Sequence, residues 1–161
     1  MRETSMVFSP FSAVRAEDFL PLLNDETLRK HLIPHPLFDV AGVRDWMAYK
    51  LGVDARPGCR VRAIFLDGTL AGWCGIQPDD EGVELAIVLA RGGWGSGVAI
   101  FNEMMGWARE LGHRTILFHL LDTRPPYRSL ARRAIWVRKT RLGEHPFTTY
   151  CLDVERWSAG P

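Results

Sequence analysis

The stretch from Val83 to Gly112 reads as a buried strand, a glycine-rich turn and an amphipathic helix in direct succession. Leu85 to Leu89 is a short apolar run with branched residues, suited to a strand covered on both faces. It ends where Arg91, Gly92 and Gly93 begin. From Val98 the apolar spacing changes, with Phe101, Met104, Met105 and Ala108 on one side of a helix that Gly112 stops. The first-turn amides of such a helix have no partner within it and point back into the turn. With the helix dipole they favour an anion by about 0.3 to 1 kcal/mol. No lysine or arginine lies between Trp94 and Ala108, so the anion site is built from backbone.

Glycine spacing narrows the choice of anion. The Gly-Lys-Ser or Gly-Lys-Thr ending of a nucleotide-hydrolase loop is absent, and the dinucleotide pattern G-x-G-x-x-G fails at Ile100. What remains is Trp94-Gly95-Ser96-Gly97-Val98-Ala99. On its own this hexapeptide also suits a tight strand-to-helix turn in any α/β protein.

The flanking chain supplies an order of elements. Phe11 to Asp18 reads as the first strand and the start of a first helix, which Ser12 or Asp18 would cap or charge. Leu22-Leu23-Asn24-Asp25 and Leu28 to Leu32 continue into a helix pair, and Pro21 interrupts the pattern. A further helix runs from an Asp39 N-cap through Val43, Trp46, Met47 and Lys50 to a stop at Gly52. Asp67-Gly68 is a hairpin signal between strands at Val61 to Phe65 and Leu70 to Ile76. A turn from Pro78 to Gly82 leads into the strand of Glu84. Beyond the glycine loop come a strand from Arg114 to Leu121, a short helix from Tyr127 to Arg133 and a closing strand from Phe147 to Val154.

The loop resembles the pyrophosphate-binding loop of the GNAT acetyltransferase superfamily, and the order of elements is similar to that family from end to end. A tryptophan in the position of Trp94 resembles the branch that acetylates protein amino termini, notably the ribosomal-protein (Rim-type) enzymes. The resemblance implies an α/β (α+β) acyl-CoA N-acyltransferase fold: a mixed, mostly antiparallel sheet of about six or seven strands flanked by about four helices. It implies acetyl-CoA as co-substrate, no metal, and an amine acceptor, either a peptide N-terminus or a small molecule. Trp94, Gly95, Ser96, Gly97, Val98 and Ala99 would then hold the diphosphate. Ile87, Val88 and Leu89 would offer backbone to the thioester and pantetheine, and Arg128 would contact coenzyme phosphate.

An acetyl transfer by direct attack needs a base for the ammonium, a donor for the oxyanion and stabilisation of the leaving thiolate. The resemblance gives the base role to Glu84, near the start of the strand that ends in the loop. Matching Leu130 to Trp136 with the family's Leu-x-x-Lys-x-Gly-Phe ending puts Arg124, Tyr127 and Ala131 where an asparagine, a serine and the acidic tyrosine usually stand. Tyr127, one helical turn from Ala131, is the candidate acid. His31, His35 and His119 are alternative bases by type, and Trp46, Trp73 and Trp94 suit either an acceptor pocket or packing.

Composition is consistent with a single domain over residues 1–161, with 47% hydrophobic residues and no linker or repeat. Cys59, Cys74 and Cys151 lack metal-ligand spacing and read as buried thiols of a reducing compartment. No apolar run approaches the roughly 18 residues of a membrane helix, and no signal-peptide core opens the chain, so a cytoplasmic protein without membrane partners is expected. Arg124, Arg128, Arg132, Arg133, Arg138, Lys139 and Arg141 form a basic segment without acids. It suits a solvated face paired with acids elsewhere, coenzyme phosphate, or RNA and ribosome contact. A non-catalytic acyl-CoA-binding domain and a homodimer also fit the sequence.

Overall fold

The computed structural model describes residues 4–29, 36–122, 128–142 and 144–158. Seven strands form one sheet in the order β1-β2-β3-β4-β5-β7-β6. They are β1 (Met6–Ser9), β2 (Arg60–Leu66), β3 (Thr69–Asp79), β4 (Gly82–Leu89), β5 (Thr115–Leu121), β6 (Ala134–Leu142) and β7 (His145–Asp153). Every neighbouring pair is antiparallel except β4 with β5. The described helices are α1 (Ala16–Leu23), α2 (Glu26–Arg29), α3 (Val40–Asp54), α4 (Gly97–Glu110), α5 (Arg128–Arg133) and α6 (Val154–Ser158).

Several local signals act as the chain chemistry requires. Asp39 caps α3, its carboxylate accepting from the Gly42 amide at 2.7 Å. Asp67 and Gly68 have φ of 50° and 80°, the left-handed pair that a two-residue hairpin turn needs. Gly112, with φ of 84°, follows α4.

Other expectations shift. The first strand is Met6–Ser9, and Phe11–Ala13 is instead a 3-10 turn. Neither Ser12 nor Asp18 caps α1; Arg15 holds that position without a side-chain bond, and Glu17 and Asp18 charge the first turn. Pro21 lies inside α1, leaving the Glu17 carbonyl without its i+4 donor. Gly52 does not stop α3, because a helical glycine with open space around it only weakens a helix. Pro78 belongs to β3, paired with Val83, so the turn is tighter than Pro78 to Gly82. Strand β6, absent from the expected order, pairs along β7 with Ile135 bulged between Ala134 and Trp136.

Two cores lie on opposite faces of the sheet. On one, α4 packs Ile100, Phe101, Met104, Met105 and Ala108 against residues from both halves of the sheet, including Ile76, Leu85, Ile116 and Tyr150. On the other, α1 and α3 cover only the first half. That core collects Phe11, Phe19, Val43, Met47, Val61, Ala63, Trp73 and Val88, with no buried member from β5, β6 or β7. Among the described residues, helical cover on this face therefore stops at β4.

Candidate active site

Strands β4 and β5 run parallel, yet among the described residues their ladder has only the pair Glu84–Leu117. Continuing that register would pair Ala86 with His119 and Val88 with Leu121, and neither pair forms. The strands part above Glu84. The other edge of β4 is fully engaged, from Asp79–Gly82 to Gly72–Leu89, and the Ala90 amide donates to the Ala71 carbonyl at 2.8 Å. Hydrogen-bonding direction alternates along an antiparallel strand. The even-numbered residues of β4 thus bond to β3, and the Ile87 amide turns toward the gap. Val88, expected among the coenzyme-facing groups, turns its amide to β3 and its side chain into the α3-side core. The close approach of β3 to β4 depends on Gly72, where a Cβ would strike the Val88 carbonyl.

At the upper end of β4, Arg91–Ser96 forms a 3-10 turn that runs directly into α4. Ser96 is the N-cap without a side-chain bond, so its hydroxyl does not use the first-turn amides. A Cβ on Gly95 would meet nothing within 4 Å, and one on Gly97 only the Leu89 side chain at 3.9 Å. Val98 is 73% exposed at the head of the helix. The protein therefore leaves open space over outward-pointing amides, which suits a diphosphate. Of Trp94 only the backbone, within the 3-10 turn, is described. Arg128 opens α5 as an exposed residue, and Leu130 of that helix packs in the α4-side core.

At the lower end of the gap a polar cluster forms on the face where helical cover stops. Glu84 accepts from Gln77 Nε2 through Oε1 at 2.6 Å, and its Oε2 lies 3.6 Å from His119 Nε2. Gln77 is the cross-strand partner of Glu84 on β3, and Asp79, two residues on, shares its face. Asp79 Oδ1 is 2.9 Å from His119 Nε2. An ionised carboxylate only accepts, so Nε2 carries the hydrogen and donates to Asp79. On the far side of the ring, Nδ1 lies 2.7 Å from Thr149 Oγ1, which is 3.2 Å from Thr140 Oγ1. Glu84, His119 and Asp79 side chains keep 23%, 22% and 19% exposure, so solvent reaches all three.

Lys50 completes the group from α3. It stands in the inward stripe of Val43, Met47 and Val53, only 8% exposed, with Nζ donating to Gln77 Oε1 at 2.7 Å. The ammonium also lies 4.5 Å from the centre of the Trp73 ring. Burial pushes its pKa below the usual lysine value, and the Glu84 carboxylate opposes that shift. A cavity of about 680 Å³ adjoins this layer, lined in part by Leu117, the register partner of Glu84, and by Glu81, Trp136 and Cys151.

The structure brings Glu84 and His119 together and adds Asp79, Gln77, Lys50 and Thr149, which sequence reasoning did not single out as site residues. Period-two alternation across the Asp79–Gly82 hairpin would have found the first two of these. A lysine in an otherwise apolar helical stripe marks the third. Tyr127, Arg124, His31 and His35 lie outside the described residues. Trp46 and Trp73 are core rings rather than pocket walls, 5.6 Å apart and edge-on, with Phe11 5.3 Å from Trp46. The basic segment finds acids elsewhere: Arg138 pairs with Glu81 at 2.8 Å and Lys139 with Asp122 at 3.2 Å, while Arg133 stacks on Trp157. All three cysteines are buried free thiols.

A mixed sheet parted between its parallel strands, with a backbone anion cradle above the gap, is the framework of acyltransferases that draw on coenzyme A. The chain belongs to the GNAT acetyltransferases: the model of the family described as Acetyltransferase (GNAT) domain matches residues 6–134. Acetyl-CoA is accordingly its acyl donor. No curated protein matches the chain by sequence. Solved structures share its fold. A probable GNAT-family acetyltransferase from Chromobacterium violaceum has 15% identity and a TM-score of 0.69, over 98% of this chain and 91% of that one. RimL, a ribosomal L7/L12 α-N-protein acetyltransferase solved with coenzyme A, has 17% identity and a TM-score of 0.71, over 95% of each chain. The yncA protein of Salmonella typhimurium, solved with acetyl-CoA, has 13% identity and a TM-score of 0.65, again over 95% of each. Among the described residues no helix is long and apolar enough to cross a membrane.

Proposed function

We propose that the protein moves the acetyl group of acetyl-CoA to a primary amine, a protein N-terminus or a small amine, by direct attack on the thioester, with Glu84 as general base. The observation that carries this reading is the position of Glu84 at the last paired residue before β4 and β5 part, with one carboxylate oxygen held by Gln77. The diphosphate rests on the amides of Gly95 to Ala99, and the pantetheine arm lies in the gap beside Ile87. An amine entering over the face that the described helices leave open meets the solvent-reached carboxylate of Glu84.

The charge changes then follow in order. Glu84 receives a proton from the ammonium by way of a water at Oε2, the oxygen not held by Gln77. The freed nitrogen lone pair attacks the thioester carbonyl carbon, and the Ile87 amide donates to the developing oxyanion. Collapse of the tetrahedral species breaks the carbon–sulfur bond, and the second proton on nitrogen passes to the departing sulfur, leaving the amide and the coenzyme thiol. Strand rise of about 3.3 Å per residue puts Ile87 nearly 10 Å along β4 from Glu84, so a water relays the proton between amine and carboxylate.

A positioned base contributes about 10²- to 10⁴-fold to rate. Glu84→Gln preserves the Gln77 contact and is expected to lower turnover into that range while acetyl-CoA affinity stays within a few-fold. A wild-type pH–rate profile in that variant removes Glu84 from the role. A mass-spectrometric screen of peptides, polyamines and aminoglycosides identifies the acceptor.

A further inference from the structure

Asp79, Glu84 and His119 come from three adjacent strands, and one donor atom from each lies within 4.8 Å of the other two. We infer that these atoms form a binding site for a divalent transition ion of the zinc type, and that occupation of this site blocks acetyl transfer. The inference rests on Glu84 being the base for its inhibitory half only; the binding half stands by itself.

Donor set and geometry support the site. One imidazole nitrogen with two carboxylate oxygens suits zinc, cobalt or manganese better than magnesium or calcium, which prefer oxygen alone. Donors on a tetrahedral zinc with bonds of about 2.1 Å stand roughly 3.4 Å apart. Here Nε2 lies 2.9 Å from Asp79 Oδ1 and 3.6 Å from Glu84 Oε2, values on either side of that spacing. The three strands fix the backbones, so small side-chain rotations complete the arrangement.

The groups behind the donors already hold the orientation a metal would need. Thr149, 2% exposed, sits against Nδ1, where its hydroxyl oxygen accepts the Nδ1 hydrogen of the imidazole tautomer that leaves the Nε2 lone pair to the ion. Gln77 occupies Glu84 Oε1 and leaves Oε2 facing the other two donors. Lys50, the nearby cation, is engaged with Gln77 Oε1. With three protein donors the fourth position stays open to water or to the acceptor amine. In the metal-free protein the same space is filled by the Nε2 hydrogen donated to Asp79.

An ion here occupies the Glu84 oxygen that would take the acceptor's proton, so binding and transfer exclude each other. Calorimetry with zinc alone, and visible spectroscopy with cobalt(II) alone, on chelator-treated protein test the binding half without any turnover. The expected result is one ion per chain with tetrahedral cobalt bands, lost at least tenfold in affinity in His119→Gln and Asp79→Asn and kept in His113→Gln. Unchanged acetyl-CoA affinity in the first two variants shows that they remain folded. Equal affinity in wild type and His119→Gln overturns the site, as does zinc heat without cobalt bands. For the inhibitory half, the zinc concentration that halves the acetylation rate should match the calorimetric dissociation constant. Full activity at saturating zinc refutes inhibition and also counts against Glu84 as base, whereas absence of zinc binding leaves the base assignment to the pH–rate test.

Discussion

The two ends of β4 do their work with different parts of the chain. At the upper end, the glycine turn and the head of α4 present amides and open space, without a basic side chain between Trp94 and Ala108. At the lower end, Glu84 stands among side chains that arrive from α3, β3, β5 and β7. A backbone cradle tolerates changes of side chain and fails when a Cβ intrudes. A side-chain cluster behaves in the opposite way, because each member owes its orientation to the next. On the function proposed above, the coenzyme falls to backbone and the acceptor's proton to side chains, so the shared donor would rest on the less mutable material.

Gly72→Ala should blur the distinction by damaging both ends together. Its Cβ would meet the Val88 backbone, which cannot give way without disturbing the β3–β4 ladder that carries Glu84 and supports the loop. Overpacking of this kind costs about 1 to 3 kcal/mol, read as a lower midpoint in chemical denaturation. An unaltered midpoint would show that β3 and β4 are not packed so closely.

Gly97→Val separates the ends. Within the protein the new side chain has room, since its Cβ meets only Leu89 at 3.9 Å, so the melting temperature of the free protein should hardly change. Coenzyme affinity should fall by about tenfold or more, because the branched group fills the space over the first-turn amides. Calorimetry with acetyl-CoA giving a wild-type constant would remove the loop from the diphosphate.

Gln77→Leu probes the lower end alone. It frees Glu84 Oε1 and takes the acceptor from Lys50 Nζ, so turnover should drop several-fold with coenzyme affinity intact. Equal losses in both would mean that the two ends are not independent.

The smallest effect concerns Lys50 and pH. Its folded-state pKa lies below the usual lysine value, so between those two values the unfolded chain holds more protons than the folded one. Stability then rises with pH through that window. Subtracting the denaturation profile of Lys50→Met should expose this slope, and its absence would mean that burial does not penalise the ammonium.

The same contrast decides how much a reader of the sequence could see. The glycine turn, the Asp39 cap and the Asp67-Gly68 hairpin are contiguous, and each has a local chemical reason. Glu84 was visible as a position on its strand. Its neighbours were not: His119 meets Asp79 across 40 residues of chain, and no local pattern encodes that pairing. Asp79 was further hidden by Pro78, which suggests a turn but here ends a strand at its hairpin. Strand β6 escaped because its basic run, Arg138 to Arg141, reads as a charged surface until β7 is laid beside it. Trp46 and Trp73 invited a pocket reading, and only packing with Phe11 and Phe19 makes them core.

The sheet is joined along its middle by one ladder pair, and α4 is the main element that grips both sides of that joint. A pantetheine arm bonded to the exposed edges would act as a missing rung, turning two separately braced slabs into a continuous one. Ligand at a hundred times its dissociation constant stabilises a fold by about 2.7 kcal/mol. Much of that gain should be felt as slower hydrogen exchange along β5 and β7, strands whose side chains the coenzyme need never touch.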